Sequence, residues 1–206
     1  MERKSIRAAE QGRPDVPARR AEWRAGQAGL DPDRLVFLDE AWATTHMARR
    51  YGWGPTADRV VGRVPHGHWE TTTFVAARRA DGLTAPTVIG GAMTGDPFVA
   101  YVRQELAPAL RPGDVVVMDN LQCHKRVEAR RAIEAAGATV AFLPPYSPDL
   151  NPIELAFAKL KATLRRREER TAEGRWAALG ESLDWFPPGE CRRYLRHAGY
   201  GAAQGT

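Results

Sequence analysis

The chain has 206 residues, of which 43% are hydrophobic and 27% charged, the balance of an ordinary globular protein with one compact domain. Its formal net charge of +5 favours a polyanionic partner, although the excess is small. No apolar run is long enough to span a bilayer, so we expect a cytoplasmic protein without a membrane partner. Two cysteines, Cys123 and Cys191, exclude a disulfide framework and a cysteine-rich zinc site.

The first 30 residues are rich in Arg, Ala, Glu and Gln, and their pattern predicts a helix over 16–27. One interpretation is a solvated basic arm or linker, and the other is the remnant of a DNA-binding region. We therefore divide the chain into this N-terminal arm (1–30), one globular domain (31–201) and a short tail (202–206).

The globular part begins with predicted strands and continues with alternating helices and strands. Continuous apolar runs at 35–38 and 115–118 predict strands that are covered on both faces. Further strands are predicted at 60–64, 71–77, 87–89 and 139–143, and helices at 96–110, 126–136, 152–169 and 176–186. Hairpins first and β-α-β units afterwards predict an α/β fold, in which helices flank a mixed sheet.

Two stretches between the first strands are predicted to be irregular. A loop over 41–58 carries Trp42, Tyr51 and Trp53, and it is either a contact for a partner or DNA or a lid over the core. His66 and His68 lie in the turn after the strand at 60–64. Their spacing is compatible with metal binding or with a polar hairpin turn.

Residues 142–154 read FLPPYSPDLNPIE and connect the last predicted strand to a helix. We call residues 144–152 the proline segment, because prolines at 144, 145 and 148 prevent both a helix and a β ladder there. Asn151 followed by a proline is typical of a helix start. Glu154 is therefore expected in the first turn of that helix.

Three acidic residues are candidates for a metal site. Asp39 and Asp119 each follow a predicted buried strand, and ligands gather at the carboxyl ends of strands in open α/β sheets. With Glu154 they would offer the hard oxygen ligands that a pair of Mg²⁺ or Mn²⁺ ions takes. Each acid has a structural alternative: a turn cap at Asp39, an Asx-turn at Asp119 and a capping box at Glu154.

These motifs resemble the bacterial insertion-sequence 630 branch of the mariner-like DDE transposases. The resemblance rests on VVVMDN followed by FLPPYSPDLNPIE, with 34 residues between Asp119 and Glu154, the spacing of that branch. LVFLDE resembles its first catalytic strand, and PHGHWETTTFVAA resembles its second and third strands. The similarity covers roughly residues 30–201.

The resemblance implies a ribonuclease-H-like fold with Asp39, Asp119 and Glu154 as catalytic residues and ligands of two Mg²⁺ or Mn²⁺ ions. It implies cleavage of double-stranded DNA at transposon ends and strand transfer into target DNA at a TA dinucleotide. It also implies a homodimer on DNA, associated with the bacterial nucleoid. Asn120 and His124 match family positions beside the second aspartate, where they support the metal ligands or face DNA.

The predicted helix at 152–169 places two cations on the same flank as Glu154. At 100° per residue, Lys161 and Arg165 share this flank, and we expect them to bind DNA phosphates. The alternative for such a charge run is a solvated face.

Two other functions stay open. Full-length relatives begin with helix-turn-helix modules, so we expect recognition of transposon ends to lie outside these residues. The alternatives are a structure-selective nuclease on the same fold and an inactive remnant that only binds DNA.

Overall fold

The computed structural model describes residues 9–49, 51–55, 59–64 and 70–201, and the predicted turn with His66 and His68 lies outside them. The described strands form one five-stranded sheet in the order β3-β2-β1-β4-β5. β2 pairs antiparallel with β1 and β3, whereas β4 pairs parallel with β1 and β5. This mixed sheet matches the predicted α/β fold. Its strands are Leu35–Thr44 (β1), Thr71–Arg78 (β2), Leu83–Gly90 (β3), Val115–Met118 (β4) and Thr139–Phe142 (β5).

Six helices occur in the described parts of the chain. α2 runs on through a π-helical turn over Val102–Leu106 and a last α-turn over Ala107–Ala109. None of the helices among these residues is long and apolar enough to cross a membrane. Their bounds are Asp15–Gln27 (α1), Gly95–Tyr101 (α2), Val127–Ala135 (α3), Ile153–Arg167 (α4), Ala172–Glu181 (α5) and Pro188–His197 (α6).

Two local predictions were wrong. Residues 59–64 have no regular secondary structure, so the predicted strand at 60–64 does not form. The predicted loop over 41–58 starts too early, because β1 continues to Thr44 and pairs with β2 from Phe37 to Thr44.

The sheet has a hydrophobic core on each face, because side chains alternate along every strand. Leu35 and Phe37 of β1 face α4, α5 and α6, and the apolar stripe of α4 is buried against them. Val36 and Leu38 face α2 and α3 on the other side. The stripe consists of Ile153, Phe157, Leu160 and Leu164, as predicted from the sequence.

α1 packs against the globular domain and is not a solvated helix. Val16 is fully buried, and Gln27 is buried where its Nε2 donates to the carbonyl of Ala198 at 2.9 Å. The helix follows the predicted bounds closely, but its environment differs, because Trp23 packs against the core below it. The division of the chain at residue 30 stays a prediction.

Candidate metal centre

The sequence suggested that Asp39 follows the end of a strand, but it lies inside β1. The parallel pairing of Phe37 with Val117 sets the register between β1 and β4. β4 ends at Met118, and continuing this register by two residues brings Asp39 beside Asp119. β1 continues past this point because β2 still pairs with it there. The predicted neighbourhood of the two aspartates is therefore present, with a longer first strand.

Asp119 follows β4 directly and is held by two hydrogen bonds. The backbone N–H of Leu121 donates to its Oδ1 at 3.0 Å, which is the Asx-turn that the sequence left open. Nδ1 of His124 lies 2.7 Å from the same oxygen. Although burial on its own would raise it, the pKa of Asp119 lies below its usual value, because His124 and the Leu121 amide stabilise the carboxylate.

Glu154 lies in the first turn of α4, as predicted, and its side chain is exposed to the cleft. The capping-box alternative is wrong, because no side chain caps this helix. Asn151 instead donates from Nδ2 to Oδ2 of Asp39 at 2.9 Å. The residue that was expected to start the helix therefore connects the proline segment to the first aspartate.

One cleft of about 640 Å³ brings the three acids together, and the proline segment forms one of its walls. Burial, followed by the charges of Glu154, Glu40 and Asp119, raises the pKa of Asp39 to about 8. Burial also raises the pKa of Glu154, and the charge of Asp119 adds to this effect while Lys161 opposes it. The carboxylates thus repel one another in a site that is partly shielded from water.

This donor set fits divalent cations. Neighbouring carboxylates repel one another, and a hard cation that binds between their oxygens removes this repulsion. The carbonyl Oδ1 of Asn151, beside Asp39, is buried without a hydrogen-bond partner and can accept from a metal-bound water. The three residues predicted as ligands, Asp39, Asp119 and Glu154, are therefore the ones that would hold Mg²⁺ or Mn²⁺.

His124 forms a charged bridge behind the centre. It is buried, and its Nε2 lies 3.0 Å from Oε1 of Glu40 while its Nδ1 contacts Asp119. Although burial would lower it, these two carboxylates raise the pKa of His124 to about 10, so the ring is an imidazolium that donates from both nitrogens. Phe98 packs against the ring with centroids 4.6 Å apart. Asn120, the other predicted neighbour, donates to the carbonyl of Leu143 and joins the ends of β4 and β5.

A tighter group of possible ligands lies behind the acids. The ligand atoms of Glu40, Cys123 and His124 all lie within 4.8 Å of one another, and among the described residues this is the group with such close spacing. Asp39, Asp119 and Glu154 are not drawn together as tightly. Since both nitrogens of His124 already contact carboxylates, we interpret the tight group as packing around an imidazolium.

Seven basic residues lie between residues 155 and 176, on α4, the following turn and the start of α5. Most of them contact other residues of the protein. Lys159 pairs with Glu190 at 2.8 Å, and Arg175 is buried against Thr72. Lys161 and Arg165 are half-buried, and in the described ranges no hydrogen bond or ion pair involves either. The remaining members contact Thr163 (Arg166), Glu169 and Glu181 (Arg167), and Glu168, Thr45 and Met47 (Arg170).

Sequence reasoning missed Glu40 and Asn151 as supports of the centre. Glu40 follows Asp39 directly, and strand alternation turns it toward the opposite face of the sheet, where His124 lies. This adjacency was the available signal. For Asn151, its helix-start position suggested a cap and concealed the contact with Asp39.

Residues 34–174 match the family model described as DDE superfamily endonuclease. No curated protein matches the chain. Among solved structures, the Mos1 transposase paired-end complex with left transposon end is 15% identical, with a TM-score of 0.76, and the match covers 97% of this chain and 63% of that chain.

Two further Mos1 structures agree with this fold. The Mos1 strand transfer complex is 16% identical with a TM-score of 0.77, and the match covers 97% of this chain and 62% of that chain. The Mos1 transposase catalytic domain with Raltegravir and Mn is 15% identical with a TM-score of 0.68, and the match covers 90% of each chain. The chain thus spans somewhat less than two thirds of the longer Mos1 chains, and it shares the ribonuclease-H-like fold of their catalytic domain.

The family match covers more than half of the chain and includes all three acids of the cleft. The chain belongs to the DDE superfamily of endonucleases.

Proposed function

We propose that the chain is the catalytic domain of a transposase of the bacterial insertion-sequence 630 branch. It would cleave double-stranded DNA at transposon ends and transfer the freed 3′-hydroxyl into target DNA. The observation that carries this proposal is the cleft shared by Asp39, Asp119 and Glu154 at the switch from antiparallel to parallel pairing in the sheet. Structures with Mg and with Mn exist for the Mos1 catalytic domain, which supports the same choice of metal here.

The chain's own residues would prepare the centre for two such ions. When bound, the cations polarise the scissile phosphate and activate the attacking oxygen. As a ligand Asp39 would be a carboxylate, having released its proton to solvent, and Asn151 keeps its Oδ2 oriented. His124 holds Asp119 as a carboxylate, because the imidazolium donates to Oδ1. Asn120 keeps the end of β4 beside β5, so Asp119 cannot move away from the cleft.

DNA would contact the centre along α4. Lys161 is close enough to Glu154 to influence its charge, and Arg165 follows one turn later on the same flank. Since most neighbouring cations already have protein partners, these two are the ones available for phosphates. The similar Mos1 structures include a complex with a transposon end and a strand transfer complex.

A homodimer on DNA is the proposed assembly, in the bacterial cytoplasm beside the chromosome. The loop between β1 and β2 presents Tyr51 and Trp53 almost fully to solvent, with Val61 also exposed. Exposed aromatic and aliphatic side chains on one loop are typical of a protein contact. We assign this loop to a second copy of the chain, since transposases of the resembled family act as paired subunits.

The proposal is tested by replacing each acid separately with alanine and measuring Mn²⁺-dependent nicking of plasmid DNA. We expect each variant to lose at least about 100-fold in rate, because a missing ligand disrupts electrostatic stabilisation of the reacting phosphate. Asp184→Ala removes an exposed acid outside the cleft and should nick like the parent.

Three outcomes distinguish the alternatives. Nicking that persists in all three variants would rule out this metal centre. DNA binding without any Mn²⁺-stimulated nicking by the parent would identify an inactive binding protein. Cleavage of branched DNA without transposon ends would identify a structure-selective nuclease.

A further inference from the structure

The proline segment has little regular structure of its own to hold it. Between β5 and α4 it contains one turn of 3₁₀ helix, Pro148–Leu150, and its three lead-in prolines offer no N–H to a ladder. Tyr146 adopts a left-handed backbone conformation with φ of +53°, which is unfavourable for a residue other than glycine. Contacts from elsewhere must therefore fix the segment that ends in Asn151 and leads to Glu154.

Arg20 of α1 supplies the strongest of these contacts. Its Nη1 donates to Oγ of Ser147 at 2.7 Å and to Oδ1 of Asp149 at 2.8 Å, and its Nη2 donates to Oδ2 of Asp149 at 2.6 Å. Ser147 in turn donates to the carbonyl of Pro145 at 3.0 Å. A guanidinium that binds a carboxylate with two parallel bonds restricts both distance and orientation.

Trp23, almost one helical turn later, connects α1 to the end of the segment. Its Nε1 donates to the hydroxyl of Tyr200 at 2.9 Å, and this hydroxyl donates to the carbonyl of Leu150 at 2.8 Å. Tyr200 is fully buried and packs edge-on against Phe37, two residues before Asp39. The residue after Leu150 is Asn151, which binds Asp39. An unbroken series of contacts thus leads from α1 to Asp39, the first acid of the cleft.

α1 itself is firmly attached to the domain. Gln27 at its end donates to Ala198, and Gly199 next to Ala198 has φ of +92°, where a Cβ would lie only 3.1 Å from Oε1 of Gln27. Before the helix, Gln11 of the 3₁₀ turn Ala9–Gly12 donates from Nε2 to the carbonyl of Tyr146 at 2.7 Å. The N-terminal region therefore contacts the proline segment at Tyr146 as well as at Ser147 and Asp149.

We propose that α1 is a positioning element of the metal centre, in which Arg20 and Trp23 hold the proline segment so that Asn151 and Glu154 face the two aspartates. This inference rests on the proposed function of the cleft. It gives a role in catalysis to a region whose composition alone indicates only a basic arm, and it makes the geometry of the centre depend on whether α1 is docked.

The test compares Arg20→Met with Arg24→Met in the full chain. Both variants remove one positive charge from α1, and both residues contact Asp149, but Arg24 does so once, at 3.4 Å, with 56% of its side chain exposed. Mn²⁺ affinity is measured by electron paramagnetic resonance, the midpoint of thermal unfolding is measured without metal, and nicking is measured as a function of Mn²⁺ concentration.

We expect Arg20→Met to weaken Mn²⁺ binding and to raise the Mn²⁺ concentration for half-maximal nicking, each by roughly three- to tenfold. Arg24→Met should stay within about twofold of the parent. Arg20→Lys keeps the charge without the paired geometry and should give an intermediate value. Trp23→Phe removes only one donor and should weaken Mn²⁺ binding in the same direction, even if Arg20→Met were too unstable to measure.

Asp119→Ala is measured in parallel, because it distinguishes a failure of the positioning role of α1 from a failure of the proposed metal centre. If Asp119→Ala loses Mn²⁺ binding while Arg20→Met and Trp23→Phe bind like the parent, α1 has no positioning role. The same conclusion follows if Arg24→Met weakens binding as much as Arg20→Met. If Asp119→Ala itself keeps full Mn²⁺ affinity, the metal centre is wrongly placed and the proposed function fails first.

Discussion

Asp39 is the acid of the cleft whose negative charge is least favourable. It is only 9% exposed, and three other carboxylates surround it, which raises its pKa to about 8. In the unfolded chain an aspartate has a pKa of about 3.9. Between these two values the folded chain holds a proton that the unfolded chain has released, so stability decreases as the pH rises through this window. The metal-free centre therefore costs folding free energy at neutral pH.

Asp39→Asn should remove this cost. Without metal, we expect the variant to unfold at a higher temperature than the parent at pH 7, by at least about 2 °C, and the difference should grow between pH 6 and pH 8. Mg²⁺ should raise the unfolding temperature of the parent and leave the variant nearly unchanged, because the ion stabilises only a chain that binds it. Differential scanning fluorimetry at both pH values, with chelator and with Mg²⁺, measures these unfolding temperatures. Parallel pH profiles for the two proteins would contradict it.

Individual acids were predictable from the sequence, whereas their supports were not. Asp119 and Glu154 stand in a motif with a recognisable spacing, and Asp39 ends an apolar run. The bridge from Glu40 through His124 to Asp119 depends on the register of β1 against β4 and on the side of the sheet that each residue faces. Those relations arise only when the strands pair, so no local pattern contains them.

At the scale of elements, α4 has two different sides. Its apolar stripe from Ile153 to Leu164 is buried, and this amphipathic pattern was readable from the sequence because it repeats every three to four residues. The length of β1 could not be predicted from the sequence. Ala41, Trp42 and Ala43 have no clear strand pattern of their own, and they extend the strand because they pair with β2. The flank of α4 that carries Glu154 also carries two cations without protein partners in the described chain.

Replacing Lys161 and Arg165 together with alanine should weaken DNA binding and flatten its salt dependence. Two lost phosphate contacts reduce the slope of log K against log salt by about 1.8, since each contact contributes about 0.9. Fluorescence anisotropy of a labelled duplex over a range of salt concentrations measures this slope.

The matched control is Arg130→Ala with Arg131→Ala on α3. These residues are exposed and lie on the opposite face of the sheet, and they change the net charge by the same amount. Their slope should equal that of the parent. A double variant of α4 with an unchanged slope would show that Lys161 and Arg165 face solvent and not DNA.

On the scale of the whole molecule, the cleft that holds the three acids is assembled from distant parts of the chain. Its residues come from β1, β4, the proline segment and α4. Trp23 of α1 binds Tyr200, which in turn binds the proline segment at Leu150. Helices cover both faces of the sheet, so the apolar side chains of the two cores are buried. The exposed apolar residues of the β1–β2 loop stand out against this, because Trp53 is fully exposed.

Trp53→Ser should therefore prevent the pairing of two chains on DNA without destabilising either chain. The side chain is fully exposed in the single chain, so its loss costs almost no folding free energy, whereas aromatic anchors contribute strongly to protein interfaces. Trp176→Ser serves as the control, since Trp176 is an exposed tryptophan on α5, outside this loop. Light scattering after size-exclusion chromatography, with and without a DNA duplex, reports the mass. We expect two chains per complex for the parent and the control and one for Trp53→Ser; equal masses for both variants, or a parent that stays single on DNA, would assign the loop another role.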